Sequence, residues 1–183
     1  MSIFIAIFFS IQGFTADYKY VDNGEAFLVL NGRISRDEMV DFKKQLSYRH
    51  YDGLLLQSRG GSVKGALEVA ALVKKYNIDT YTETYCSSAC LLILASGKEK
   101  HAYQGAFMGI HRPYKRKNDT VIPEPIHGYT YKQMLDELSR SLGKYESEYF
   151  MNMVFSVPSG SLSRLSKADL SRVINLYSVP KFI

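Results

Sequence analysis

At 183 residues, with 46% hydrophobic and 22% charged side chains, the chain suits one domain with a real core and has neither a disordered nor a fibrous composition. Net charge is +5, and the basic residues are spread out except for Arg112, Lys115, Arg116 and Lys117, so the long basic stripe with interleaved aromatics that nucleic-acid binding requires is not there. The only cysteines, Cys86 and Cys90, have no second pair beside them, which argues against a structural zinc site, and neither metal nor organic cofactor is expected.

The chain opens on an apolar run, Ile3-Phe4-Ile5-Ala6-Ile7-Phe8-Phe9-Ser10-Ile11. It is too short to span a bilayer and has the length of a signal-peptide core, with Ala16 as a cleavage position. No Lys or Arg precedes it, and Phe14 stands where a small residue is expected. Residues 1–16 are therefore read as a signal peptide or a membrane-anchoring segment, with membrane association through 3–11, and 17–183 as one domain. In that reading the protein is exported and is periplasmic or membrane-associated. A buried first strand is the competing reading and would make it cytoplasmic.

Residues 25–30 read as a buried strand ended by Asn31-Gly32. Ser35-Arg36-Asp37-Glu38 is a capping box that opens a helix to about Ser47, with Met39, Phe42 and Leu46 inward. Leu54-Leu55-Leu56-Gln57 is a short strand buried on both faces. After Gly60-Gly61 a helix starts near Val63 and carries Ala66, Leu67, Val69, Ala70 and Val73, with Asn77 as a left-handed cap. A strand over 78–84 follows. This alternation of strand and helix predicts an α/β domain with a mainly parallel sheet and flanking helices.

Small residues crowd the next stretch, Thr84-Tyr85-Cys86-Ser87-Ser88-Ala89-Cys90, which leads into the apolar helix Leu91-Leu92-Ile93-Leu94-Ala95. Two cysteines in one helix at this spacing sit at the far end of the span a disulfide allows, so a bridge requires Cys86 to precede the helix; buried small residues flanking a tight junction are the other reading. Residues 106–110 form a strand ending at His111. Residues 112–128 hold Pro113, Pro123 and Pro125 and read as a lid or binding loop. One long helix is expected over 129–153, with Met134, Leu135, Leu138, Leu142, Tyr145, Tyr149 and Phe150 on its apolar side. Ser166-Lys167-Ala168-Asp169 starts a last short helix, and 176–179 closes the sheet as a strand.

Three pieces of this chain can carry chemistry together. A serine at the first turn of a helix meets free N–H groups that favour developing negative charge. It becomes a nucleophile once a base takes its proton, and histidine is the usual base. Two N–H donors must then hold the oxyanion; Gly61 and the residue after the serine, Ala89, can supply them. A lone Ser and His are far more often structural than catalytic. Gly60-Gly61 before a helix could equally cradle a phosphate, but the Gly-Lys-Ser of a phosphate-binding loop is lacking.

Ser58-Arg59-Gly60-Gly61-Ser62-Val63 resembles the oxyanion loop of the ClpP/crotonase superfamily. Cys86-Ser87-Ser88-Ala89-Cys90 resembles the nucleophile turn of the Clp protease proteolytic subunit, and Gly109-Ile110-His111-Arg112-Pro113 its histidine strand end. The order matches, with 27 positions from 61 to 88 and 23 from 88 to 111. The likeness is greatest to exported bacterial ClpP-like proteins, where a Cys-x-Ser-Ala-Cys turn occurs. It implies the ClpP/crotonase-like α/β fold, Ser88 as nucleophile, His111 as base, and Gly61 and Ala89 as oxyanion hole. A register slip would make Ser87 the nucleophile. It also implies peptide or unfolded protein as substrate, without ATP-driven unfolding, and a homo-oligomer.

The chain departs from that pattern twice. Arg59 stands where the family has Pro, which implies a looser loop or an arginine that meets an acidic group. The family's orienting Asp has no counterpart in Pro158-Ser159-Gly160-Ser161-Leu162-Ser163-Arg164-Leu165-Ser166. Asp169, Asp136, Glu137, Asp119 and Glu124 are candidates, and so is a Ser–His dyad whose histidine is oriented by a backbone carbonyl or hydroxyl. The alternatives to a peptidase are a non-catalytic module of the same fold that binds a peptide or partner, and an acyl-CoA enzyme of the crotonase branch.

Overall fold

The computed structural model describes residues 15–20, 25–35 and 49–173, single positions 40, 42, 44, 45 and 48, and the strand 175–177. The expected apolar segment 3–11 lies outside them, as does most of the capping-box helix, although Phe42 is buried as anticipated.

Among the described residues the main sheet has six strands. In chain order these are β1 (Thr15–Tyr20), β2 (Ala26–Asn31), β3 (Gly53–Gln57), β4 (Asp79–Thr82), β6 (Lys100–Tyr103) and β11 (Asn175–Tyr177), and they lie side by side in that order. Only β1 runs antiparallel to its neighbour; β2, β3, β4, β6 and β11 are parallel. The expected α/β architecture with a mainly parallel sheet is thus what forms. Leu54, Leu55 and Leu56 of β3 are fully buried, as a strand covered on both faces must be.

Helix α1 (Val63–Lys75) follows β3. Its N-cap is Ser62, whose hydroxyl accepts the Gly65 N–H. Its far end closes as read from the sequence: Asn77 takes φ +55°, Ile78 N–H reaches the Val73 carbonyl and Asn77 N–H the Lys74 carbonyl, both at 3.1 Å.

The strand expected over 78–84 is β4 and ends at Thr82. The chain bends at Glu83-Thr84 and enters a second sheet as β5 (Tyr85–Ser87). There β5 lies parallel to β7 (Phe107–Ile110), and β10 (Ser163–Arg164) lies antiparallel on β7's other edge. Strand β6 had no reading in the sequence. Helix α2 (Cys90–Leu94) is a buried single turn and a half. The Thr80 hydroxyl donates to the Leu94 carbonyl at 2.7 Å and so satisfies one of the groups its end leaves open.

Residues 112–128, read as a lid or binding loop, carry two strands: β8 (Tyr114–Lys117) and β9 (Thr120–Pro123) form an exposed antiparallel hairpin turned at Asn118, φ +51°. One expectation is corrected further on. The long helix over 129–153 is two helices, α3 (Tyr129–Leu142) and α4 (Lys144–Ser156), parted by Gly143 at φ +83°. A right-handed helix cannot run through that backbone angle. The break resets the helical phase, so Tyr145, expected inward, is 80% exposed. The last helix, α5 (Lys167–Val173), starts with reciprocal bonds between Ser166 and Asp169. Among the described residues no helix is long and apolar enough to cross a membrane.

Candidate active site

The second sheet gathers the chemistry-bearing pieces. Ser58, the residue after β3, bridges to β5: its N–H donates to the Tyr85 carbonyl at 3.2 Å, and its carbonyl accepts the Ser87 N–H at 3.0 Å. Its buried hydroxyl accepts the Gly60 N–H at 3.0 Å. The glycine loop is thereby stitched onto the strand that delivers the serine.

Glycine is required in that loop. Gly60 has φ +93° and Gly61 φ +149°. A Cβ on Gly60 would stand 2.8 Å from Ser88 Cβ and 3.0 Å from the Ala89 nitrogen. On Gly61 it would meet the Ile34 carbonyl at 2.2 Å. Ile34 bridges this loop in parallel register, using the Gly60 carbonyl and the Ser62 N–H at 3.0 and 2.9 Å. That pattern leaves the Gly61 N–H unspent and facing away from Ile34. Ala89 is the N-cap of α2, and its N–H also has no backbone acceptor among the described residues. Two N–H groups are therefore available on either side of Ser88.

Ser88 is one of the few non-glycine residues at positive φ, +54°. An L-residue there costs about 1–2 kcal/mol and persists only where the surroundings enforce it. Two constraints do so. The Ser88 N–H donates to the Gly109 carbonyl at 2.8 Å, and a disulfide joins Cys86 to Cys90 around it with a Cα–Cα separation of 5.3 Å. Cys86 lies in β5, before the helix, which is the condition under which a bridge at this spacing forms; the reading of the two as unbridged small residues is corrected. Ser87, the other register, is buried and points away from solvent.

Ser88, Ala89 and His111 line one small cleft. Its remaining walls are apolar, notably Val63, Leu92, Ile110, Met134, Phe150 and Val154. His111 follows β7 directly. Its Nδ1 lies 3.0 Å from the Arg112 carbonyl oxygen. A carbonyl only accepts, so this bond is made with the proton on Nδ1, and the matching tautomer carries its lone pair on Nε2. The Tyr114 ring lies beside the imidazole at 5.8 Å between centroids. The Ser88 hydroxyl makes no hydrogen bond to any described residue; resting-site catalytic contacts are often long and tighten with substrate.

No carboxylate among the described residues pairs with His111. Asp169 accepts from Tyr149 Oη at 2.7 Å and from Ser166, and these bonds hold its carboxyl below its usual pKa. Asp136 pairs with Arg140, Glu137 with Lys74 and Arg140, and Glu124 with Lys115. Asp119 sits in the exposed hairpin turn. The carbonyl option for orienting the base is the one with an atom in place. Arg59, for which a looser loop and an acidic partner are the two readings, lies over the Tyr85 ring at 5.8 Å. Sequence reading missed Arg112, whose side chain reaches the Glu124 carbonyl, and it missed the cleft, although Met134 and Phe150 were marked as apolar. No group of three or more potential metal ligands occurs among the described residues.

No family model matches the chain, and no curated protein does. Solved structures do. The chain is similar to the 1510-N membrane-bound stomatin-specific protease, solved as a serine-to-alanine mutant (14% identity, TM-score 0.60, covering 81% of this chain and 76% of that one). It is likewise similar to ClpP1 from Listeria monocytogenes, solved as an asparagine-to-aspartate mutant (15%, 0.60, 82% and 89%). The third is the ClpP protease catalytic domain from Plasmodium falciparum (20%, 0.60, 83% and 86%). At these identities the likeness establishes the fold: the chain folds as ClpP-type proteases do.

Proposed function

We propose that this chain is a serine hydrolase that cleaves peptide bonds, with Ser88 as nucleophile, His111 as general base, and the N–H groups of Gly61 and Ala89 as oxyanion hole. The observation that carries the reading is Ser88, held at positive φ on the wall of a cleft it shares with His111, with the glycine loop against it. In the first step His111 Nε2 takes the hydroxyl proton as Ser88 Oγ bonds to the carbonyl carbon, and the oxyanion forms between the two donors. The C–N bond then breaks as Nε2 returns the proton to the leaving amine. Water repeats the sequence to free the enzyme. A carbonyl on Nδ1 enforces the required tautomer but stabilises imidazolium less than a carboxylate does, so turnover is slow.

The apolar walls favour an extended peptide with an apolar side chain at the cleavage point. The Cys86–Cys90 bridge supports an exported protein working in an oxidising compartment, since cytosolic thiols are kept reduced. A homo-oligomer belongs to the same reading, from the resemblance of the sequence motifs to the Clp protease proteolytic subunit. The second reading, a peptide-binding module without catalysis, is favoured by one observation: no carboxylate among the described residues meets His111.

Labelling with a fluorophosphonate probe tests the proposal. Wild type should label, and Ser88→Ala and His111→Ala should not. A folded wild type that never labels would leave the binding module as the reading.

A further inference from the structure

We propose that Arg112 is the positioning residue of the base, doing through its own main chain what a triad carboxylate does through a side chain. The inference rests on the assignment of His111 as base. Among the described residues, the only acceptor on His111 Nδ1 is the Arg112 carbonyl at 3.0 Å. A main-chain carbonyl orients an imidazole only if its peptide plane is itself immobile. Here the plane of that carbonyl, which joins Arg112 to Pro113, is held through the groups on either side of it. The Arg112 N–H donates to the Val157 carbonyl at 2.9 Å, at the end of α4. The Arg112 Nε donates to the Glu124 carbonyl at 2.7 Å, where the chain returns from the hairpin. Glu124 answers through its own N–H, which donates to the Pro113 carbonyl at 2.8 Å. The guanidinium also lies over the Phe155 ring at 5.8 Å.

The geometry distinguishes this from an ordinary surface arginine. Arg112 forms no ion pair among the described residues; the nearby buried carboxylate, Glu124, is taken by Lys115 at 3.0 Å. Arg112 therefore spends its side chain on a carbonyl and a ring, and both fix its backbone. Removing the side chain leaves only the main-chain ties, so the carbonyl gains freedom to turn, Nδ1 holds its acceptor less firmly, and the ring populates more of the Nε2–H tautomer, which has no lone pair to offer Ser88.

The test is the imidazole 15N spectrum of His111 in the full chain, which separates a protonated from an unprotonated ring nitrogen, read beside the rate of fluorophosphonate labelling. Wild type should show Nδ1 protonated. Arg112→Ala should shift population to the Nε2–H form and slow labelling roughly ten- to hundredfold. Arg112→Lys keeps the charge without the Nε donor and should move both readouts the same way, and it serves if the alanine variant does not fold. Folded variants with an unchanged tautomer, or a wild type already protonated on Nε2, would overturn the inference. A wild type that never labels would sink the hydrolase reading alone, because the ring spectrum still reports whether Arg112 orients His111.

Discussion

Ser88 donates its backbone N–H to the carbonyl of Gly109, two residues before His111, at 2.8 Å. The turn that presents the hydroxyl and the strand that presents the imidazole are therefore one hydrogen-bonded unit, β5 beside β7. The spacing of the two side chains depends on that ladder and not on the mobile end of a loop. Four predictions test the site and its frame.

Gly60→Ala should disable the site more than it unfolds the protein. The added Cβ meets Ser87 O at 2.7 Å and Ser88 Cβ at 2.8 Å, on a backbone of φ +93°. We expect about 2–4 kcal/mol of destabilisation. Labelling should fall by more than tenfold at temperatures where circular dichroism shows a native fold.

The bridge around Ser88 should stabilise the chain modestly. It closes a loop with a sequence separation of four. Loop-closure entropy for so short a ring gives about 2 kcal/mol. Cys86→Ala/Cys90→Ala should lose about that much in urea unfolding. Its labelling should fall further than the stability loss explains, because the strained turn is released. Dithiothreitol should reproduce both effects in wild type.

Stability should decline in mild acid partly through His101. Burial lowers its pKa below the usual 6.5, with Asp79 and Glu99 partly opposing. The unfolded chain then takes up a proton that the folded chain refuses. The contribution of His101 is complete above about pH 6.5 and is lost as pH falls below it. His101→Phe, which keeps a ring to stack on Tyr81, should flatten the difference between urea midpoints at pH 7.5 and 5.5.

Specificity should follow the cleft. Val154→Phe adds bulk to an apolar wall beside Ser88. In a peptide series varied at the cleavage position, kcat/KM for Phe or Leu should drop about tenfold or more relative to Ala. An unchanged ranking would mean that the side chain binds elsewhere.

What could be read in advance followed burial. Leu54-Leu55-Leu56 is covered on both faces and therefore reads as an unbroken apolar run, and Asn77 announces the end of α1 through its left-handed backbone. The hairpin 114–123 is exposed throughout, so its strands have no inward face for a pattern to record. Strand β6 buries only Ala102, and its place between β4 and β11 is decided by neighbours remote in sequence. Ser88, His111 and Gly61 were visible as an ordered motif. Arg112 was not, because its contribution passes through a carbonyl that every residue possesses. The bridge was legible only as a condition, that Cys86 precede the helix.

Gly143 has a consequence for the cleft. In one unbroken helix Met134 and Phe150 would be separated by 16 residues at 1.5 Å each, about 24 Å, and could not face the same molecule. The chain instead doubles back, so that the Ser139 and Ser147 hydroxyls meet at 2.9 Å and both residues line the wall beside Ser88. A Cβ at position 143 would touch nothing within 4 Å, so its cost is conformational alone. One dihedral angle, far from Ser88 in sequence, thus brings two turns of helix to the same wall.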